Sequence, residues 1–537
     1  MSFTQQRARN GFVKTTVLAI FTLFFVQLSP VQAQVTAFMQ SVAEASARDE
    51  ALAGFYKANG YKPIWTGTGS KDRSRRAALL KALASADDHG LPQKAYDTDF
   101  LQANLRSVQS ERDLGKIEVE LSRLFLEYAR DMQTGVLTPS RVDSEIVRQV
   151  PLRGRLETLV NFSKSSPAAY LKSLVPNSPE YTRLMKEKIR LERLLAKGGW
   201  GQQVPGKKLE PGSSGNAVVI LRNRLMAMGY LGRSATQSYD ANLQKAVQQF
   251  QLAHGLNPDG VAGAGTLAEL NKPVETRLGQ IIVAMERERW MNMPRGKRHV
   301  WVNLTDFTAK IIDNGKVTFE TRSVVGANRS DQRSPEFSDV MEHMVINPTW
   351  NVPRSIAVKE YLPLMQKNPD AAGHLKLIRG GRVVSRQGID FTQFTAADFP
   401  YDLKQPPSDG NALGLVKFMF PNKYNIYLHD TPAKNLFSRE TRAFSHGCIR
   451  LNDPFDFAYA LLAKQMSNPK EFFQARLAQR SENVVPLDTP IPVHLVYFTA
   501  FTSAKGNMNY RRDVYGRDAK ILKALLNAGV VLRAVQS

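Results

Sequence analysis

The spacing of apolar residues changes once along this chain, near residue 300, and the change limits the possible folds. Before it, residues such as Ala77, Leu80 and Leu83 recur at helical spacing. After it, β-prone runs are separated by turn residues. Asn314-Gly315 between two such runs predicts a hairpin, and a smaller hairpin is expected around Gly380-Gly381. The 537 residues are too many for one hydrophobic core. The sequence therefore predicts a multidomain α+β protein, with helices first and strands later.

The N-terminus has the order of a secretory signal peptide. Three basic residues within the first fourteen positions precede an apolar run at 17–28, and Val31-Gln32-Ala33 follows as a small-residue cleavage site. The apolar run is shorter than the roughly 20 residues of a comfortable membrane span. We expect residues 1–33 to export the chain from the cytoplasm, with retention of this segment as a membrane anchor as the alternative.

The net charge restricts the partners. The chain has 72 Lys and Arg against 49 Asp and Glu, a formal charge of +23. A positive field of this size attracts polyanions. Nucleic acid and the anionic cell envelope both satisfy that condition, but the export signal favours the envelope. We predict no nucleic-acid partner.

The chain has one cysteine, Cys448, so no intramolecular disulfide forms. An unpaired thiol in an exported protein is open to oxidation, which makes it a candidate for function. Nineteen positions upstream, His429 ends an expected strand at 424–429. Strand side chains alternate, so His429 shares a face with Tyr427. This pattern predicts an imidazole beside polar groups at a strand end, not a buried one.

These residues supply the parts for acyl transfer. A thiol with a pKa of about 8.5 is mostly protonated at neutral pH, and a histidine such as His429 takes its proton and returns it to a leaving amine. Gly447 lets a carbonyl approach, and the N–H groups of Gly447 and Cys448 are candidates to hold the oxyanion. His446 either shapes that site or packs structurally. The residues alone predict a cysteine acyltransferase or hydrolase, with no metal or organic cofactor.

Residues 209–272 carry a second pattern. A glycine turn and a helix ending in Gly229-Tyr230-Leu231 precede Phe250-Gln251, and four further positions follow at fixed spacing: Asp259, Gly260, Gly263 and Thr266. The pattern resembles the three-helix peptidoglycan-binding domain. A generic helical linker would show the periodicity but not the fixed glycines.

The stretch from His429 through Ser445-His446-Gly447-Cys448-Ile449-Arg450 resembles the signature of the L,D-transpeptidase (YkuD-type) catalytic domain. The whole layout is similar to the large Gram-negative L,D-transpeptidases, with an inserted peptidoglycan-binding domain and a substrate-capping lid. The resemblance implies a mostly-β, sandwich-like catalytic domain. Cys448 would attack the amide between meso-diaminopimelate and the terminal D-alanine of a tetrapeptide stem, with His429 as base. The amine of a second stem would resolve the acyl-enzyme as a 3→3 cross-link.

The resemblance also implies roles for neighbouring residues. Arg450 would meet the carboxylates of diaminopimelate, and Tyr427 and Ser445 are candidate substrate contacts. Asp430 departs from the family pattern, in which glycine often follows the base. An acidic side chain there could raise the pKa of His429.

The expected domains follow in order along the chain. They are a helical scaffold at 34–205, a peptidoglycan-binding domain at 209–272, a helical connector at 273–298, a catalytic domain at 299–485 with its lid at about 354–413, and a C-terminal segment at 486–537 that either completes the catalytic domain or packs on the scaffold.

The acceptor stays open at this stage. Water would make the protein a carboxypeptidase or endopeptidase, and a lysine of an envelope protein would make it an anchoring enzyme. A non-catalytic peptidoglycan-binding scaffold would not need Cys448, His429 and Gly447 together. A large lid shields an acyl-enzyme from water and favours cross-linking.

Overall fold

The computed structural model of the protein describes residues 35–533 and confirms the predicted multidomain α+β class. The signal peptide predicted at residues 1–33 lies outside the described residues. Within 35–533, none of the helices combines the length and the hydrophobicity that a membrane span requires.

The first domain is helical and is organised around one long helix, α5. Ser110 caps its start by accepting the N–H of Asp113, and Gly135 follows its last residue with a φ of +88°. The carboxylate of Glu118, fully buried in this helix, accepts N–H groups from Ile64, Trp65 and Thr66. The helices are α1 Ala37–Ser46, α2 Glu50–Ala58, α3 Ser70–Ala84, α4 Thr98–Arg106, α5 Glu111–Thr134, α6 Pro139–Val142, α7 Arg155–Lys164, α8 Pro167–Ser173 and α9 Pro179–Ala196.

The second domain has three helices, α10 Asn216–Ala227, α11 Ala241–Ala253 and α12 Ala264–Leu270. One side chain explains why its motif residues occur together. Gln251 accepts the N–H of Gly260 at 2.9 Å and donates to Asp259 at 2.7 Å and to Thr266 at 3.1 Å. Gly260 has a φ of +74°, which favours glycine at this turn.

A single helix, α13 Val274–Trp290, connects the helical domains to the sheet. It packs against α9, α5 and the C-terminal helix and is buried along nearly its whole length. Its four successive charged residues, Glu286, Arg287, Glu288 and Arg289, are each at most 2 % exposed. Each of them forms an ion pair, so this helix is held by charges as well as by apolar contacts.

The last domain contains the strands. They are β1 Arg298–Asn303, β2 Thr308–Asp313, β3 Lys316–Gly326, β4 Phe337–Ile346, β5 Trp350–Asn351, β6 Lys376–Arg379, β7 Arg382–Val384, β8 Asp402–Gln405, β9 Val416–Met419, β10 Leu428–His429, β11 Ala443–Ser445, β12 Ile449–Leu451, β13 Asn483–Val496, β14 Ala500–Thr502 and β15 Met508–Tyr510. The helices among and after them are α14 Arg354–Ile356, α15 Leu362–Lys367, α16 Pro454–Leu462, α17 Pro469–Leu477 and α18 Arg517–Asn527.

Nine strands form one sheet in the order β11-β3-β12-β10-β9-β4-β13-β1-β2, and β3 also pairs with β2. The sheet therefore closes on itself through β3, around a core that includes Val300, Phe418 and Val493. The predicted hairpin joins β2 to β3, with Asn314 at φ +49° and Gly315 at φ +78°. Both signs suit the primed turns that match strand twist.

The segment after residue 485 takes part in both arrangements that the sequence left open. Strand β13 lies inside the sheet, antiparallel to β4 and parallel to β1. Helix α18 then packs against α13, and its Ile521 and Leu525 join the core that α13 shares with α9.

An insertion between β4 and β9 forms a separate small sheet in the order β5-β8-β6-β7, with its own apolar core. The hairpin predicted around Gly380-Gly381 joins β6 to β7, with φ values of +57° and +79° at the two glycines. We refer to residues 350–413 as the lid.

Candidate active site

The parallel pairing of β10 and β12 brings four predicted side chains to one face of the sheet. Leu428 is opposite Ile449, and His429 is opposite Arg450. Because side chains alternate along strands, Leu428 and Ile449 point into the core, while Tyr427, His429, Cys448 and Arg450 share the other face. Cys448 is thus directly across from Tyr427 and diagonal to His429.

The strand expected at 424–429 is shorter in the structure. Only Leu428 and His429 are in β10, and Asn425 has a φ of +54°, which ends extended pairing. The Asn422 side chain stabilises the turn instead, accepting the N–H groups of Tyr424 and Ile426. This turn brings the Asn425 carbonyl to the nucleophile.

The Cys448 thiol is half-buried and donates to the Asn425 carbonyl oxygen at 3.5 Å. Burial raises the pKa of this thiol to about 11, although contact with Tyr427 and the charge of Arg450 oppose the rise. The thiol is therefore neutral at pH 7. No hydrogen bond joins it to His429 in the part of the chain that the structure describes.

His429 is 4 % exposed, so the expectation of an imidazole outside the core is wrong. Burial, together with the nearby charge of Arg450, lowers the pKa of His429 to about 3, against the opposing effect of the Asp430 and Leu413 backbone. Nδ1 is buried and makes no hydrogen bond of ordinary length and angle. The ring meets that of Tyr427 edge to face, with centroids 5.7 Å apart. The histidine is thus a neutral base beside a neutral thiol.

The turn before the nucleophile is held by Ser445. Its hydroxyl accepts the Gly447 N–H at 3.1 Å and donates to the Cys448 carbonyl at 2.6 Å. Ser445 is only 2 % exposed, which contradicts its predicted contact with substrate. The Gly447 N–H is engaged and cannot serve the oxyanion without breaking this bond. Among residues 35–533, the Cys448 N–H has no hydrogen-bond acceptor, and it is the better candidate.

Gly447 has a φ of +113°, a conformation that other residues rarely adopt. A Cβ at this position would lie 3.1 Å from Ile426. Gly447 therefore sets the backbone of the turn that presents Cys448.

The sequence suggested a catalytic role for Asp430, but its carboxylate is engaged by two other groups. It accepts the Leu415 N–H at 2.9 Å and pairs with Lys434 at 2.8 Å. The pKa of His429 is lowered rather than raised, so the expected effect of this carboxylate on the imidazole is not found. Asp430 stabilises the loop that precedes β9.

Two cations border the imidazole, one predicted and one not. Arg450 is opposite His429 in β12, and its Nε is buried without a hydrogen-bond partner. Lys417 is opposite His429 in β9, and burial lowers its pKa. The alternation of Val416, Lys417 and Phe418 was the signal for Lys417, but its register against His429 could not be read from one sequence.

The side chain of His446 contacts the lid. It is half-exposed, and its Nε2 lies 2.5 Å from the Glu360 carboxylate of the lid. A second contact, Lys359 to Asp331 at 2.7 Å, joins the lid to the loop after β3. Tyr427 packs against both the lid core and the sheet core. The lid therefore meets the sheet beside Cys448.

Three stretches of the chain match known sequence families. Residues 50–187 match a family described as "Scaffold domain", residues 214–270 match "Putative peptidoglycan binding domain", and residues 297–479 match "L,D-transpeptidase catalytic domain". A curated relative from Haemophilus influenzae, named "Putative L,D-transpeptidase", is 31 % identical over 257 residues. That alignment covers 47 % of this chain and 51 % of the relative, so the chain spans about half the relative's length.

The chain also aligns with solved structures at low sequence identity. An L,D-transpeptidase from Xylanimonas cellulosilytica is 17 % identical, covering 54 % of this chain and 98 % of that chain with a TM-score of 0.16. An L,D-transpeptidase from Stackebrandtia nassauensis is 16 % identical, covering 54 % and 96 % with a TM-score of 0.21. The assignment of the catalytic domain rests on the sequence matches.

Proposed function

We propose that this chain, which contains a YkuD-type L,D-transpeptidase catalytic domain and a peptidoglycan-binding domain, cross-links peptidoglycan through a thioester at Cys448. One observation carries the proposal. Cys448, His429 and Tyr427 share one face of two paired parallel strands, where the lid meets the sheet. The periplasm is the proposed site of action.

In the first step, the Cys448 sulfur attacks the carbonyl carbon of the amide between diaminopimelate and the terminal D-alanine. His429 takes the thiol proton and gives it to the leaving amine, so that D-alanine departs and a thioester remains. In the second step, the side-chain amine of another diaminopimelate attacks the thioester. His429 accepts its proton, the thiol re-forms, and a 3→3 cross-link results.

The electrostatics of the resting site disfavour a preformed thiolate–imidazolium pair. Because the thiol and the imidazole are both neutral at pH 7, no thiolate is stored before substrate binds. Proton transfer accompanies attack, and the Cys448 N–H stabilises the oxyanion. Arg450 and Lys417 supply positive charge for the carboxylates of diaminopimelate.

The lid favours an amine acceptor over water. It has its own apolar core, and it contacts the sheet through Tyr427 and through the Glu360–His446 pair. Exclusion of water protects a thioester from hydrolysis. A carboxypeptidase, an endopeptidase or a protein-anchoring enzyme would use the same first step, so these activities are distinguished by product.

The test uses the purified chain with disaccharide-tetrapeptide muropeptides, and products are identified by mass spectrometry. We expect a dimer that has lost one D-alanine, absent with Cys448→Ala and with His429→Ala. His343→Ala, on strand β4 outside the site, is the matched control for removal of a histidine. Monomer that has lost D-alanine without any dimer would reject cross-linking in favour of a hydrolase. Unchanged substrate with folded protein would reject catalysis.

A further inference from the structure

A cavity of about 1690 Å³ lies where the scaffold, the peptidoglycan-binding domain and the catalytic domain meet. Its walls include residues 176–183 of the scaffold, 252–258 of the second domain, the β2–β3 hairpin and the loop 438–442. Cys448 and His429 do not line it. This interdomain cavity is therefore separate from the reaction site.

The cavity wall carries cations that have no carboxylate partner. Among the residues that the structure describes, six lining cations form no salt bridge: Arg153, Arg183, Lys316, Arg322, Arg439 and Arg442. Several donate only to neutral oxygens, such as Arg153 to the Asn292 carbonyl and Arg183 to the Thr502 hydroxyl.

The acidic residues of the same wall are already engaged. Four carboxylates are paired with basic side chains: Glu288 with Arg295, Asp306 with Arg511, Glu320 with Lys310, and Glu440 with Arg512. The fifth, Glu180, accepts from Thr502, and burial raises its pKa to about 7. The cavity therefore presents positive charge that the protein itself does not neutralise.

Arg442 shows how this charge is held in place. Its guanidinium donates to the carbonyls of Arg439, Phe307 and Ser323 at 2.8, 3.1 and 3.2 Å. Burial and the positive charge of Arg322 lower the pKa of Arg442 to about 10. Three carbonyls fix the orientation of a guanidinium without supplying a counter-charge.

The cavity also lies between the peptidoglycan-binding domain and the loop that precedes β11. The Asn257 N–H donates to Glu440 at 2.9 Å, and Leu252 in the same wall is 58 % exposed. Loop 438–442 continues directly into β11 and reaches Cys448 six positions after Arg442. A polymer bound here would lie beside the segment that carries the nucleophile.

We propose that the interdomain cavity binds a carboxylate-bearing glycan–peptide strand of peptidoglycan, outside the reaction site, through its unpaired arginines and Lys316. This inference rests on the proposed function for the identity of the polymer. Guanidinium groups pair with carboxylates in two-point geometry, which suits the anionic ends of stem peptides. Residues 252–258 of the wall belong to the peptidoglycan-binding domain. Their presence favours peptidoglycan over a phosphate polymer as the source of the negative charges that would bind here.

The experiment measures binding of soluble glycan–peptide strands to the full chain carrying Cys448→Ala, so that no reaction occurs. In this background we compare Lys316→Ser/Arg322→Ser/Arg439→Ser with Lys57→Ser/Lys81→Ser/Lys94→Ser. Each set removes three exposed positive charges, the first from the cavity and the second from the scaffold. Thermal melts of both variants establish that they are folded.

We expect the cavity variant to bind at least tenfold more weakly, and the scaffold variant to bind like the parent. Parent binding should also weaken as salt is raised, and strands with amidated stem carboxylates should bind as weakly as the cavity variant binds intact ones. Equal binding by the two variants would overturn the proposal. The proposal would also be overturned if inorganic polyphosphate at equal charge competed at least about tenfold more strongly than glycan–peptide strands, because the site would then select phosphate polymers. Turnover of the small muropeptide by the Cys448 protein tests the proposed function separately.

Discussion

Two buried polar regions of this protein differ in whether their groups are paired. Around α13, Glu286 accepts from Arg289, from Trp290 and from the Leu137 N–H, and Arg287 is bound bidentately by Glu336. On the face of β10 and β12, the Nδ1 of His429 and the Nε of Arg450 are buried without partners. Both regions bury polar atoms, but the carboxylate of Glu286 and the guanidinium of Arg287 have partners, whereas these two nitrogens have none.

The difference separates stability from chemistry. A buried charge that keeps its counter-charge is costly to disturb, and it is not available to bind a substrate. A buried polar group without a partner can still form a hydrogen bond to a substrate, and desolvation shifts the pKa of a titratable group of this kind. The pKa shift at His429 is of this second kind, whereas the charged residues of the connector helix belong to the first.

The largest expected effect is on chemistry alone. Cys448→Ala should lower acyl transfer by at least about a thousandfold, because the nucleophile is lost. It should change the free energy of unfolding by no more than about 1 kcal/mol, since the thiol is half-buried and makes one weak hydrogen bond. Muropeptide turnover and chemical denaturation measure the two quantities. A large loss of stability would show that the unpaired face also holds the fold.

The second effect is on stability alone. Glu286→Ala leaves Arg289 and two N–H donors without their partner, and should lower the free energy of unfolding by about 3–5 kcal/mol. Glu275→Ala, an exposed position on the same helix, should cost at most about 1 kcal/mol through the helix dipole. Denaturation of both variants in parallel gives the comparison. Similar values for the two would mean that the ion pairs of α13 contribute nothing net.

The third effect concerns pH. Because the pKa of Cys448 is raised to about 11 and that of His429 is lowered to about 3, the thiolate fraction at pH 7 should be smaller than for free cysteine. The alkylation rate of Cys448 by iodoacetamide should keep rising above pH 9, where a free thiol approaches its plateau. Mass spectrometry follows the rate, with N-acetylcysteine as reference. A plateau near pH 6 would reveal a stored thiolate–imidazolium pair instead.

The smallest effect concerns an exposed ion pair next to the candidate site. Lys434 is half-exposed and pairs with Asp430, next to His429. Lys434→Ala should change the free energy of unfolding by less than about 1 kcal/mol, because exposed ion pairs contribute little. Muropeptide turnover should stay within about twofold of the parent by the same argument. A tenfold change in turnover would show that the charge of Asp430 affects His429.

Local signals predicted much of the fold. The turn residues Asn314-Gly315 and Gly380-Gly381 identified two hairpins, because positive φ is chemically demanding and few residues accept it. Helix α9, Pro179–Ala196, has the same kind of local signal, with a proline at its start and two glycines just after its end. Such features depend on neighbours in sequence, which one sequence contains.

Features that depend on neighbours in space could not be predicted. The run from Glu286 to Arg289 has the composition of a solvated helix face, yet the packing of α5, α9 and α18 around α13 buries it. In the candidate site, the motif predicted roles for Cys448 and His429, but the burial of His429 and the position of Lys417 depend on strand register. The engaged hydroxyl of Ser445 likewise follows from a turn whose shape appears only in three dimensions.

The position of β13 has a consequence for the order in which this molecule is made. The stretch that matches the catalytic family ends at residue 479, before β13 begins at Asn483. Yet β13 is the strand that joins β4 to β1, so a growing chain that already contains Cys448 still has a gap in the middle of its sheet. During synthesis, Cys448 and His429 are made before the strand that completes their sheet. The sheet that carries both residues can therefore close only after β13, which ends at Val496, has been made.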